Sequence, residues 1–426
     1  MKRTLSLLLL LALLLTGCAG GQADSSASTD SSSESSAQSA AFADDSSAAE
    51  EPEPEEEPDE GSLYRLSAAD PDTLLKILVV GNSFSVDSSE FLYEVATDAG
   101  YQVLIANLNR SSTTLADHWR YARNSDAVYT YRKNSAGSWD IVADKSAIMA
   151  QALEDEDWDI ILFQQQSYMA GVASSYHNDE TSYVTLLADF ARAHCSNGAV
   201  KIGWQMTWSL RECTERYYVK RFTGELDLYE KICAAVQTQV EDIGTADFII
   251  ATGTAIQNAR TSYLGDTLDR DGKHLSYDLG RYLAAMSVAS GCGMDLSGVD
   301  QLDTSVSSKS RTTLSTLHLP LLRQCVADSE QTPYAITQQG ETAPALEQPT
   351  LTVQAEENGQ ALTWTPAEGA TGYEVTDGSG ETLAALDAET TAYTDEAGTG
   401  RTKYQVVALG DDYLDDASSL WVYGEG

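Results

Sequence analysis

Between about residues 72 and 325 the chain alternates short apolar runs with longer amphipathic stretches. The runs read "LKILVV", "QVLIAN", "DIILF", "VKIGWQM" and "DFIIA". They are continuous rather than alternating, the pattern of strands buried on both faces of a parallel sheet. Between them lie stretches such as "SSEFLYEVATDAG", "KSAIMAQALEDED" and "GELDLYEKICAAVQTQVEDIG", whose apolar positions recur at helical spacing. Strand and helix in turn predict an α/β domain over residues 63–330, a doubly wound, five-stranded parallel sheet between two helical layers. In such sheets ligands bind beyond the carboxyl ends of the strands.

The pattern changes twice more. Residues 331–347, "QTPYAITQQGETAPALE", carry turn formers and no periodicity, and read as a linker. Residues 348–426 alternate apolar and polar positions in short runs broken by Gly, Asn, Asp and Pro, as in an all-β sandwich. Trp364 in "ALTWTP", Tyr373 in "GYEV" and Tyr404 in "KYQVVA" are candidate packing residues, and with them this tail resembles a fibronectin type III domain.

At the other end, "MKRTLSLLLLLALLLTGCAGG" has a basic start, an apolar run and small residues, which mark residues 1–18 as an export signal. "LTGC" resembles the bacterial lipobox, and that resemblance implies cleavage before Cys18 and lipidation of its thiol. Residues 19–62 are Ser/Ala-rich and then acidic, with no Lys or Arg, and cannot bury enough surface to fold. They predict a solvated tether on a lipid-anchored protein outside a bacterial membrane. Stretched, it would reach on the order of 100 Å.

Composition narrows the partners. A net charge of −39 argues against nucleic acid and against polyanionic substrates. Without Cys18, five cysteines remain (Cys195, Cys213, Cys233, Cys292 and Cys325), an odd and widely spaced set that defines neither a disulfide framework nor a zinc site. No metal or other cofactor is called for.

The chemistry gathers in two motifs. "GNSFS" places Ser83 just after the first strand, at the start of a helix, and "LDRDGKHLSYD" places Asp271 three residues before His274. A serine hydroxyl becomes a useful nucleophile when a base takes its proton and a third group orients that base. "TLDRDGKHLSYD" also partly follows a calcium loop through Asp269, Asp271, Gly272 and Asp278, but its first position is Thr267 and its last lacks Glu.

With both motifs in place, the domain resembles the SGNH (GDSL-type) hydrolases, and more closely a bacterial branch with "GNSFS", a "QQ" strand end and "RDGxHLS", over roughly residues 75 to 290. The resemblance implies a flavodoxin-like α/β/α fold, with Ser83 as nucleophile, His274 as base and Asp271 as its orienting acid. It implies an oxyanion hole from the Ser83 N–H, a backbone N–H after strand two and an amide after strand three. The second place reads "NLNRSSTTLADHW", where Ser112 (or Ser111) stands for the family's Gly. The third reads "ILFQQQS", where Gln165 is the stand-in beside Gln164. Asn82, Gln164, His118, Trp208 and Arg260 are candidate substrate contacts. His177, His194 and His318 have no partner at useful spacing and are expected to be surface or satisfied core groups. The resemblance points to an esterase acting on acylated carbohydrate, for instance O-acetyl groups. The alternatives are an acyltransferase with the same triad and a glycan-binding protein with weak turnover.

Overall fold

The computed structural model describes residues 62–211, 221–310 and 313–425. The export signal, Cys18, almost all of the expected tether and Cys213 lie outside those residues. The five apolar runs become five parallel strands: β1 (Leu75–Gly81), β2 (Val103–Asn109), β5 (Ile160–Phe163), β6 (Lys201–Gln205) and β7 (Phe248–Ile250). β1 lies in the middle, paired in parallel with β2 on one side and β5 on the other.

The sheet is not five-stranded. Two antiparallel strands, β3 (Tyr129–Asn134) and β4 (Trp139–Ala147), extend it beyond β2, giving the order β4-β3-β2-β1-β5-β6-β7. These strands carry the polar sequences "YTYRKN" and "WDIVADKSA". β3 buries Tyr129 and Tyr131 toward the core, while most of β4 is exposed. A solvated edge hairpin of this kind has no continuous apolar run to betray it.

Helix α1 (Ser83–Ser89) and helix α2 (Leu92–Asp98) join β1 to β2; α3 (Leu115–Asn124) and α4 (Met149–Glu154) fall between β2 and β5. Then come α5 (Tyr183–His194), α6 (Glu225–Val236), α7 (Thr252–Arg260), α8 (Leu279–Gly291) and α9 (Leu319–Gln331). Apart from α6 they pack as two groups: α3, α4 and α5 touch one another, as do α1, α2, α7, α8 and α9. β1 to β2 runs one way along the sheet and the later crossovers run the other, so right-handed crossovers put the two groups on opposite faces. α8 is buried along its whole length. Among the described residues no helix is long and apolar enough to cross a membrane.

Beyond α9, the stretch expected as a linker is strapped to the domain. The Thr337 N–H donates to Asn258 Oδ1 at 2.8 Å, and the Gln339 N–H to Thr261 Oγ1 at 2.9 Å. Two antiparallel sheets follow. One joins β8 (Leu351–Glu356), β9 (Gly359–Trp364) and β12 (Ala392–Asp395) in the order β12-β9-β8. The other is built on β10 (Gly372–Asp377), β11 (Thr382–Asp387) and β13 (Lys403–Leu409), with two short strands at its edge. Trp364, Tyr373 and Tyr404 are all buried in the core that the two sheets share. His318 is the satisfied core group of the sequence reading, and its partner is distant in the chain. Its Nε2 lies 2.8 Å from Asp411 Oδ2, with both side chains fully buried, and Tyr263 holds the other ring nitrogen at 2.7 Å.

Candidate active site

Every residue of "GNSFS" has a separate task at the carboxyl end of β1. A Cβ on Gly81 would stand 2.7 Å from Gln164 Nε2 and 2.9 Å from the Ser85 Cβ, so only glycine lets β1, α1 and the end of β5 meet this closely. Asn82 caps α1: its Oδ1 accepts the Phe84 N–H at 3.0 Å. Ser83 opens the helix and is half-buried. Phe84 stacks on Trp208, with ring centroids 4.2 Å apart, and presents its edge to His274 at 5.8 Å. The Ser85 hydroxyl donates back to the Asn82 carbonyl at 2.7 Å.

The second motif folds into a tight turn beside it. Asp269 and Leu275 pair as an isolated bridge, and Gly272 reverses the chain between them at φ +83°. Asp271 Oδ1 accepts the His274 N–H at 2.8 Å, while its Oδ2 lies 2.7 Å from His274 Nδ1. His274 Nε2 lies 2.9 Å from Ser83 Oγ. Three side chains, one of them 191 positions from its partner, therefore form a single hydrogen-bonded line from carboxylate to imidazole to hydroxyl. Burial would raise the Asp271 pKa, but the hydrogen bonds from His274 outweigh it and hold the carboxyl below its usual range. The Trp208 Nε1–H donates to the Lys273 carbonyl at 2.8 Å, and the Arg211 N–H to the Gly272 carbonyl at 2.8 Å, which fix the turn to the chain leaving β6.

The line opens into a cleft of about 350 Å³, bordered by Ser83, Ser111, Ser112, Gln166, Tyr168 and Lys273 among others. Hydroxyls, amides and the Lys273 and His274 side chains make this border more polar than apolar.

Several expected contacts are corrected. Gln165 is not the amide of the cleft: its Nε2 is given to Ser175 (3.2 Å to the carbonyl, 3.0 Å to Oγ), and its Oε1 accepts the Leu115 and Gln166 N–H groups. Gln164 is buried against Asn82, donating from Nε2 to Asn82 Oδ1 at 3.2 Å, and stays behind the cleft wall. Asn82 does border the cleft, with its Oδ1 accepting from Phe84 and Gln164 and its Nδ2 donating to the Thr113 carbonyl at 3.2 Å. His118 is buried beneath α3 against Tyr129 Oη at 2.9 Å, and desolvation pulls its pKa down to about 3. Trp208 is wholly buried and acts through Phe84 and Lys273, not on a ligand. Arg260 is not at the cleft either: it bonds Glu225 Oε1, at the start of α6, at 2.9 Å with its side chain only 4% exposed.

The calcium-loop alternative also dissolves. Asp269 accepts the Gly272 N–H, Asp271 faces His274 and Asp278 accepts from Tyr413, so the three carboxylates do not converge. Among the described residues no group of three or more His, Cys, Asp or Glu is placed to hold a metal, and Cys195, Cys233, Cys292 and Cys325 are all free thiols.

Ser112 borders the cleft with φ +60°, a left-handed conformation normally left to glycine. The turn thus keeps the backbone a glycine would give, at the expense of strain on a serine. The residue that sequence reasoning passed over is Gln166. It is 5% exposed and borders the cleft, and its Oε1 is buried with no partner. The signal was the third Gln of "QQQ": past the strand end at Phe163 the alternation that ranks neighbours no longer applies.

Residues 76–308 match the family described as "Domain of unknown function (DUF4886)". A crystal structure of a DUF4886 family protein from Bacteroides uniformis is 28% identical, covering 62% of this chain and 98% of its own, with a TM-score of 0.55. A putative GDSL-like lipase from Parabacteroides merdae is 12% identical over 54% of this chain and 100% of its own, with a TM-score of 0.33. An Fn3-like protein from Clostridium thermocellum is 29% identical over 18% of this chain and 94% of its own, with a TM-score of 0.14. No curated protein matches the chain.

Proposed function

The chain belongs to the DUF4886 family, and from the geometry of its cleft we propose that it is a serine hydrolase of the SGNH type. The observation that carries this reading is the Asp271–His274–Ser83 line, with contacts of 2.7 and 2.9 Å. Ser83 Oγ attacks an ester carbonyl carbon as His274 Nε2 takes the hydroxyl proton, and Asp271 stabilises the imidazolium. The tetrahedral intermediate collapses, His274 returns the proton to the departing alkoxide, and the acyl group stays on Ser83. Water, deprotonated by His274, then attacks the acyl-enzyme, releases the acid and restores the serine.

The developing oxyanion needs donors already in place. The Ser83 and Ser112 N–H groups and the Gln166 amide are proposed for it, Gln166 taking the role expected of Gln165. A polar cleft of about 350 Å³ suits a short acyl group on a hydrophilic alcohol better than a long hydrocarbon chain. Acylated carbohydrate, such as an O-acetylated glycan, is therefore the proposed substrate class. The chain would act outside a bacterial membrane, held through lipidated Cys18 and the acidic tether, with the C-terminal sheets forming a fibronectin type III-like module.

The test is direct. A fluorophosphonate probe should label Ser83, identified by peptide mass, and p-nitrophenyl acetate should be turned over. Ser83→Ala should lose the label and at least about 10⁴-fold in kcat with an unchanged unfolding midpoint. Equal turnover by Ser83→Ala would end the proposal.

A further inference from the structure

We infer that Asp87 is a positioning residue for the proposed reaction, tying the nucleophile's helix to the peptide that carries the base; the inference rests on Ser83 acting as nucleophile. Asp87 lies four residues after Ser83 in α1, one turn along the same face. It is completely buried. Its Oδ2 accepts the N–H of Leu275, the residue directly after His274, at 3.0 Å.

The carboxylate is itself locked. Arg281, from α8, approaches Oδ1 with Nε at 2.9 Å and Nη2 at 2.7 Å, a two-pronged pair. Arg270 Nη1 donates to Asp87 at 3.1 and 3.3 Å and also to the Leu275 carbonyl. Arg270 and Leu275 are the two ends of the turn that holds Asp271 and His274, and both are fastened to one side chain on α1. Behind this, Glu90 Oε1 lies 3.3 Å from Arg281, and Glu90 Oε2 lies 3.0 Å from Arg132 on β3, in the edge hairpin.

The need for such a tie follows from the triad's own bonds. The Asp271–His274 contact is local to the turn and travels with it. Ser83–His274 is a single hydrogen bond between segments 191 residues apart, and it must lengthen and shorten during proton transfer. Arg211 holds the turn to the chain after β6, and Trp208 links it to α1 only through ring stacking on Phe84, with no hydrogen bond to that helix. Phe84 packs on His274 and Trp208 without directing them, and Asp87 adds the directional, hydrogen-bonded contact that sets His274 against the helix bearing Ser83 while the reacting bond changes. A buried carboxylate brings a desolvation cost that an apolar residue would avoid, so charge here favours fixed geometry over stability.

The test compares wild type with Asp87→Asn and Arg270→Gln in the full chain. Asp87→Asn keeps the shape and one acceptor but loses the charge that holds both arginines. The expected result is a fall of about 100-fold in kcat, the scale of an ångström-sized misplacement. KM should stay near the wild-type value, and fluorophosphonate labelling of Ser83 should slow in parallel, per folded molecule by circular dichroism. Arg270→Gln, at a partly exposed site, should show a smaller loss of the same kind. Wild-type kcat and labelling in folded Asp87→Asn would overturn the inference. If that variant does not fold, wild-type kcat in Arg270→Gln overturns it instead. A wild-type chain that neither turns over nor takes the probe sinks the hydrolase reading, and the ¹⁵N shifts of the His274 ring then decide on Asp87. They report the Nε2–Ser83 contact without any reaction: displaced shifts in Asp87→Asn, or in Arg270→Gln should that variant alone fold, support positioning and identical shifts refute it.

Discussion

Two neighbouring glutamines show how much one position matters at the end of a strand. Gln165 spends its amide on Ser175, Leu115 and Gln166, whereas Gln166 borders the cleft with a side-chain Nε2 that no hydrogen bond among the described residues occupies and that can donate there. Replacing them should separate stability from catalysis. Gln165→Ala strands several buried donors and acceptors and should lower the unfolding free energy by about 1–3 kcal/mol in a denaturant titration. Gln166→Ala should leave that titration alone and cut kcat about 100-fold, the usual loss for one oxyanion donor. His118 and Glu94 set opposite pH limits. Burial lowers the His118 pKa to about 3, so its contribution is complete above about 6.5 and is lost as the pH falls toward about 3. Burial raises the Glu94 pKa from 4.5 to about 7, so its contribution is present below about 4.5 and is lost as the pH rises through about 7. That loss is at most about 3 kcal/mol. Glu94→Gln should therefore flatten the fall in melting temperature between pH 5 and 8.

The elements around the cleft are short, and their placement depends on a few contacts. α1 has seven residues and too little length to be stable alone. It is held by its Asn82 cap, by Phe84 on Trp208 and by Ser88 Oγ donating to Gln205 Oε1 at 3.0 Å. Trp208→Ala should cost about 3–5 kcal/mol and slow catalysis, because the same ring supports Phe84 and the Lys273 carbonyl. The turn after β2 makes the complementary case. Ser112 at φ +60° tolerates replacement by glycine, and Ser112→Gly should keep full turnover. A β-branched residue there cannot hold that backbone conformation, so Ser112→Val should lose about 1–3 kcal/mol and the donor geometry with it.

At the scale of the molecule, the C-terminal sheets are fastened to the α/β domain, not merely appended to it. Asp411 accepts from the Ser315 N–H at 2.8 Å and faces His318 in a fully buried contact, while the Tyr413 hydroxyl donates to Asp278 Oδ1 at 3.1 Å. Burial opposes ionisation of Asp411, but the His318 and Ser315 hydrogen bonds prevail and keep its pKa low. Asp278 sits four residues from His274 at the start of α8, so this joint reaches the neighbourhood of the turn that holds Asp271 and His274. Asp411→Ala should cost about 3–5 kcal/mol by leaving His318 and the Ser315 N–H buried without their acceptor. Calorimetry checks this, and a chain ending at residue 340 should melt at a lower temperature than the whole protein.

What the sequence determined by itself was whatever depends on local order. Continuous apolar runs mark strands that bury both faces, so β1, β2, β5, β6 and β7 were legible along the chain. Asp271 and His274 were readable because a three-residue spacing across Gly272 brings them together within one turn. The edge hairpin of β3 and β4 was not, since a strand wetted on one face carries no apolar run. Nor were Asp87, Gln166 and the His318–Asp411 pair, whose partners are set by how distant segments pack. The same side chain can cap a helix, face a cleft or lie buried in a joint; only the tertiary structure selects among these, because burial and hydrogen-bond partners are properties of neighbours in space.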